Sequence, residues 1–165
     1  MRTIPLDTLN ACRMPSQDFS SLQELLHREV PVSAEMGITI VRASPELVRL
    51  EAPLMPNINY NGTAFGGSIY TVAALSSWLL LSATLTDAGH EADYVVIQDG
   101  AIDYLQPATD RFEAESAWPS EAARARFLRG LDRRGVARSH LAARVTCKAT
   151  VCASFEGRFV ARVRP

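Results

Sequence analysis

Residues 69–85 form a run of 17 almost wholly apolar positions, and that run limits what the rest of the chain can be. Thr71, Ser76, Ser77, Ser82 and Thr84 interrupt it, and no basic cluster flanks it. A bilayer span needs roughly 20 mostly apolar residues, so the run reads as a helix inside a protein. It starts near Gly66 and ends before Asp87-Ala88-Gly89. Its apolar positions lie on every side, which is the pattern of a helix enclosed all round. One enclosed helix implies a sheet wrapped around it.

The flanking sequence supplies that sheet. Ser21 and Glu24 stand at capping-box spacing, and Leu22, Leu25, Leu26 and Val30 make one stripe, so a helix is expected over 21–30, ended by Pro31. Two strand-like runs, 37–43 and 47–52, meet at Ser44-Pro45-Glu46 as a hairpin. Residues 53–65 read as a polar loop rich in Asn and Pro. After the apolar helix come strands over 94–105 and 112–118, then a short helix with Ser120 as N-cap and Gly135 as its stop. Two long alternating strands close the chain. In the first, Ala137, Leu141, Ala143 and Val145 alternate with Arg138, His140, Arg144 and Thr146; in the second, Phe155, Phe159 and Ala161 alternate with Glu156, Arg158 and Arg162. Such alternation gives a sheet one wet and one dry face. The fold class is α+β, an antiparallel sheet curled around a central helix. Residues 1–16, with Pro5 and Pro15, read as an N-terminal arm, and 17–165 as the one domain that 165 residues allow.

Charge and cysteine content narrow the setting. The net charge of -1 argues against nucleic acid and anionic membrane as partners. The balance is uneven: residues 1–120 carry 6 basic and 15 acidic side chains, residues 121–165 carry 11 and 3. Cys12, Cys147 and Cys152 are odd in number and form no CxxC, so neither a disulfide framework nor a zinc site is suggested, and a reduced cytoplasmic setting is expected. The first ten residues contain no apolar signal region.

Several chemistries are absent. Gly66-Gly67-Ser68-Ile69-Tyr70 fails GxSxG at its last position, and neither a P-loop nor GxGxxG occurs. His27, His90 and His140 are not at metal-ligand spacing, so no metal is expected. What stands out is the segment Asn57-Ile-Asn-Tyr-Asn-Gly-Thr-Ala-Phe-Gly-Gly-Ser68, delivered onto the apolar helix. Glycines at a helix start let a ligand approach the backbone, and the unpaired N–H groups there favour negative charge. A carbonyl held by Gly66 or Gly67 N–H would be polarised, one such donor being typically worth about 3 kcal/mol to a developing oxyanion. The same glycine pair also suits close packing of helix on strand. Thr63 and Ser68 could donate to a ligand or cap the helix.

Asn59-Tyr-Asn-Gly-Thr-Ala-Phe-Gly-Gly67 opening a long apolar helix resembles the hotdog-fold acyl-CoA thioesterases. Residues 96–109, ending Tyr104-Leu-Gln-Pro-Ala108, resemble the strand that superfamily closes with an aromatic-x-x-Pro-Ala motif. Closer still, residues 50–54, 59–68, 96–99, 104–107 and 155–160 are similar to a thioesterase family found alone or fused behind a GNAT-type acetyltransferase domain. The resemblance implies hydrolysis of acyl-CoA or acyl-carrier-protein thioesters. It also implies a homodimer, or a tetramer, whose sites draw on both subunits. Asn59, six residues before Phe65, takes the place of the superfamily's recurrent active-site Asn. Gly67, with Gly66, would polarise the carbonyl, Asn59 would orient the carbonyl or the attacking water, and Thr63, Phe65 and Ser68 would line the substrate. No metal or redox cofactor is needed. A hydratase of the same fold needs a His where Phe65 stands.

The pattern departs in one place. Many members carry an acid nine residues after the Phe, on the central helix, and here Ala74 occupies that position. Either the base comes from elsewhere, or the chain binds acyl thioesters without cleaving them. Asp99 is the replacement expected from the residues themselves. The apolar register runs Val95, Ile97, then Ile102, Tyr104, so an extra residue must be absorbed near Asp99-Gly100, as in a β-bulge. A carboxylate there, partly desolvated, would suit a general base. Arg124, Arg126, Arg129, Arg133, Arg134, Arg138 and Arg144 are expected either to be solvated or to meet the phosphates of coenzyme A or an acidic carrier protein.

Overall fold

The structure is a computed structural model that describes residues 19–164. The arm expected over 1–16, and Cys12 with it, lies outside that range. Strands β1 (Thr39–Ala43), β2 (Leu47–Ala52), β3 (Ala92–Tyr104), β4 (Phe112–Ala117), β5 (Val136–Cys147) and β6 (Thr150–Val163) pair antiparallel in the order β1-β2-β4-β5-β6-β3. The sheet packs around α3 (Gly66–Asp87), with α1 (Ser20–Glu29), α2 (Pro31–Glu35) and α4 (Glu121–Arg134) outside that pairing. This is the α+β wrap that the apolar run demanded.

The hydroxyls that interrupt α3 do not disturb it. Thr71, Ser82, Thr84 and Thr86 each donate to the carbonyl four residues back, at 2.8, 3.0, 2.8 and 3.1 Å. Ser77 donates to Ser116 on β4, which donates on to Ala142 O. With its polar atoms satisfied in this way, α3 can sit among buried Phe112, Phe155 and Phe159 without a desolvation penalty. By length and apolarity α3 could cross a bilayer, but 67% of its most apolar 18-residue window is buried within the fold.

Enclosure is incomplete on one stripe. Tyr70, Thr71, Ala74, Leu75 and Trp78, at helical i, i+4 spacing, are only half-buried. They lie beside β3, since Trp78 Nε1 donates to Val95 O and Tyr70 packs edge-on to Phe155, directly across the β3–β6 ladder from Ile102. The stripe adjoins the open edge of the sheet.

Three local expectations change. Helix α1 starts at Ser20 with Phe19 in the N-cap position and no side-chain cap, so the backbone places Ser21 inside the helix and not at its cap. Pro31 ends α1 but also opens α2, where its fixed φ and missing N–H suit the first helical turn. The bulge in β3 falls between Ile97 and Asp99, so the extra residue is Gln98. Gly100 is instead in register with Gly157, and a Cβ on it would overlap the Tyr70 hydroxyl and press on Phe155. Its lack of a side chain serves aromatic packing. The α4 signals hold: Ser120 Oγ accepts from Ala123 N at 3.1 Å, and Gly135 adopts φ 66°.

Candidate active site

The loop before α3 is organised by two asparagines. Asn57 is buried; its Nδ2 donates to Met36 O and Pro53 O, both at 2.8 Å, and its carbonyl accepts Phe65 N–H at 2.7 Å. Asn59 closes the tighter turn within. Its Oδ1 accepts from Asn61 N (2.8 Å), Thr63 N (3.3 Å) and Thr63 Oγ1 (3.3 Å), while Nδ2 donates to Ala64 O. Asn59 N donates to Thr63 O, and Gly62 takes the left-handed φ of 76° that the turn requires. Ala64 N donates to Ala108 O, tying the loop to the segment beyond β3.

This scaffold delivers Phe65 as the N-cap of α3, in extended conformation with no side-chain cap. Ser68 N and Ile69 N donate to Phe65 O. Among the described residues nothing accepts from Gly66 N or Gly67 N, so both remain free donors at the positive end of a 22-residue helix. They open into a groove of about 590 Å³ between residues 63–67 on one side and 104–108 on the other. The walls are mainly apolar, with Phe65, Tyr104 and Leu105 more than half exposed. A carbonyl oxygen entering this groove meets two aligned N–H dipoles, the geometry that stabilises an oxyanion.

Both glycines also sit under exposed aromatic rings. A Cβ on Gly67 would overlap the Phe65 ring, and one on Gly66 would lie 3.1 Å from Tyr104 Cζ. Tyr104 Oη donates to Gly66 O at 2.8 Å.

The structure gathers Thr63, Phe65, Gly66 and Gly67 around the groove. Asn59 stands behind it, spending its amide on the loop, and Ser68 is half-buried on the first turn without lining the groove. Asp99 is elsewhere. It faces Arg158 across the ladder, with Oδ2 2.6 Å from Arg158 Nη2 and 54% of its side chain exposed. The inward residues of β6 are Phe155, Gly157 and Phe159, so the Asp99–Arg158 pair is on the outer face, away from α3. The desolvated setting expected for Asp99 does not form, because the extra residue at Gln98 turns its side chain outward. Among the described residues no Asp, Glu or His lines the groove.

The arginines of α4 are also distant. Arg124 pairs with Asp87 at 2.9 Å and Trp118 Nε1 donates to Thr84, which fixes α4 at the C-terminal end of α3. A helix of 22 residues is about 33 Å long. Phosphates of a ligand whose carbonyl sits at Gly67 are thus far from α4 of the same chain. Sequence reading missed Tyr104 and Asn57 as site-building residues. Their signals, an aromatic ending β3 and an Asn opening the loop, acquire meaning only once residues 104–108 lie beside residues 63–67.

Residues 19–163 match the family described as "Putative thioesterase (yiiD_Cterm)". The chain belongs to this family. Among solved structures, the family's thioesterase character is echoed by a protein from Shewanella oneidensis titled a putative thioesterase. It is 31% identical, with TM-score 0.76, covering 86% of this chain and 94% of that one. A protein of unknown function from Chlorobaculum tepidum gives TM-score 0.83 at 25% identity, covering 98% and 99%. One from Pseudomonas aeruginosa, titled a probable thioesterase, shares the fold with TM-score 0.77 at 20% identity, over 92% and 99% of the two chains. The yiiD_Cterm family chain is thus a hotdog: a six-stranded antiparallel sheet around one long helix.

Proposed function

We propose that this family member hydrolyses acyl thioesters of coenzyme A or of an acyl carrier protein, and that it does so as a homodimer. The observation that carries the reading is the pair of unpartnered amides, Gly66 and Gly67, at the start of a buried helix and open to an apolar groove. The thioester carbonyl sits against these donors. Water gives a proton to an acceptor as its oxygen adds to the carbonyl carbon, negative charge collects on the carbonyl oxygen facing Gly67, and the C–S bond then breaks. The thiolate leaves and takes a proton, and the acid departs as carboxylate.

Support for a second copy comes from β3. It is, with β1, one of the two edge strands, 13 residues long, and the half-buried stripe of α3 lies beside it with Ile97 40% exposed. An unpaired edge next to apolar surface favours strand addition. A copy joined there brings new groups to the mouth of each groove, and the proton acceptor that one chain's groove lacks comes from that copy.

That no carboxylate or imidazole among the described residues lines the groove also favours a second reading, an acyl-thioester binder without turnover. One experiment separates the two. Thiol release is titrated over a panel of acyl-CoA chain lengths and acyl carrier protein thioesters, alongside calorimetric binding of the same ligands. Turnover is expected, and Gly67→Ala, which puts a methyl group beside the free amides and displaces the Phe65 ring, is expected to lower kcat/KM by about tenfold or more. Binding without turnover selects the second reading. Neither binding nor turnover removes both.

A further inference from the structure

The hydrogen bond from Tyr104 Oη to Gly66 O reaches the peptide that carries the second free donor. Gly66 C=O and Gly67 N–H are the two ends of one planar, trans peptide group, so whatever fixes the first aims the second. A hydroxyl on the carbonyl oxygen also draws electron density toward it, which makes the N–H at the other end a stronger donor. We infer that Tyr104 is a positioning residue: its hydroxyl sets the orientation and strength of the Gly67 amide that receives the thioester carbonyl. The inference rests on the groove being the thioester site.

The surroundings of Tyr104 are built for this contact. Its backbone is in register with Ala153, and the next two amides, Leu105 N and Gln106 N, both donate to Cys152 O at 2.8 and 3.1 Å. The end of β3 is therefore clamped to β6 just where the ring leaves it. The ring reaches toward the start of α3, and the absence of a Cβ on Gly66 lets Cζ and Oη come close enough for a 2.8 Å bond. Burial, and secondarily the neighbouring Tyr70 phenol, hold the Tyr104 hydroxyl above the usual tyrosine range, so it stays protonated and able to donate.

The test compares wild type with Tyr104→Phe, which keeps the ring over Gly66 and removes only the hydroxyl. In the variant kcat is expected to fall about tenfold with KM within about twofold, since the donor remains but is loosened and weakened, against the 10²–10³ typical of losing it outright. In 13C,15N-labelled protein the Gly66 carbonyl and Gly67 amide nitrogen resonances should both move, while ring-current shifts on neighbouring protons stay. Gly66→Ala presses on the ring over the same carbonyl, so it should slow turnover by no more than Tyr104→Phe does, and the double variant should be little slower than Tyr104→Phe alone. An unchanged kcat in Tyr104→Phe, multiplicative losses in the double variant, or unmoved Gly66 and Gly67 resonances would each overturn the inference. If wild type turns over no thioester, the functional reading fails separately, and the two resonances still decide whether Tyr104 governs this peptide.

Discussion

At the scale of single residues, the site depends on atoms that side-chain chemistry does not advertise. Asn59 supplies its amide to the turn, so Asn59→Ala removes the bonds to Asn61, Thr63 and Ala64 and lets the groove wall drift. Activity should drop at least about tenfold in a thiol-release assay, because small misplacements of a reacting group are costly. Asp99→Asn should behave differently. It breaks an exposed pair with Arg158, worth at most about 1 kcal/mol, and activity should stay within about threefold. A tenfold loss there would restore Asp99 as the base. Tyr104 gives a pH signature. Its folded pKa is raised above an unfolded value of about 10, so the folded state holds the proton more tightly. That stability is fully present below about pH 10 and is lost as pH rises through the folded value. Thermal midpoints recorded upward from about pH 9 should therefore fall more steeply for wild type than for Tyr104→Phe, by a modest margin because the ring is half exposed.

At the scale of elements, glycine marks where helix and sheet meet, and its two uses can be separated by experiment. Gly157 lies under Phe155 and Phe159, and a Cβ there would stand 2.8 and 2.9 Å from those buried rings. Gly157→Ala should cost about 1–3 kcal/mol by urea denaturation, since neither ring has room to yield. Gly67→Ala meets Phe65, which is 58% exposed and free to swing, so its stability should barely change while its activity suffers. Most element boundaries were readable beforehand. The β1–β2 turn, the span of α3, and the Ser120 and Gly135 ends of α4 follow from local rules that neighbours do not override. The start of α1 was not, because Phe19 packs against the core and fixes the entry of the chain more firmly than a serine cap. The bulge was readable as a change of parity, but not its residue. Register is decided by which side chains find space against β6, and Gly100 was needed opposite Gly157.

For the whole molecule, the proposed dimer turns on the open edge of β3 with the half-buried stripe of α3 beside it. Ile97→Arg places a charge on that edge. Light scattering should show a shift from dimer toward monomer, and thiol release should fall with it by about tenfold or more; a fully active monomer would contradict the dimeric reading. The uneven charge also acquires a place, because the arginines of α4 gather at the end of α3 opposite the groove. The sequence by itself determined that an apolar helix must be wrapped by an antiparallel sheet, and that a glycine pair opens that helix. Both follow from burial and backbone freedom, which are properties of the chain's own residues. Only the tertiary structure decided that Asp99 turns outward, that Asn59 serves the loop, and that Tyr104 reaches Gly66. Asn59 bonds within its own turn, but the other two outcomes depend on strand register and on contacts between segments far apart in the chain, which local pattern does not encode.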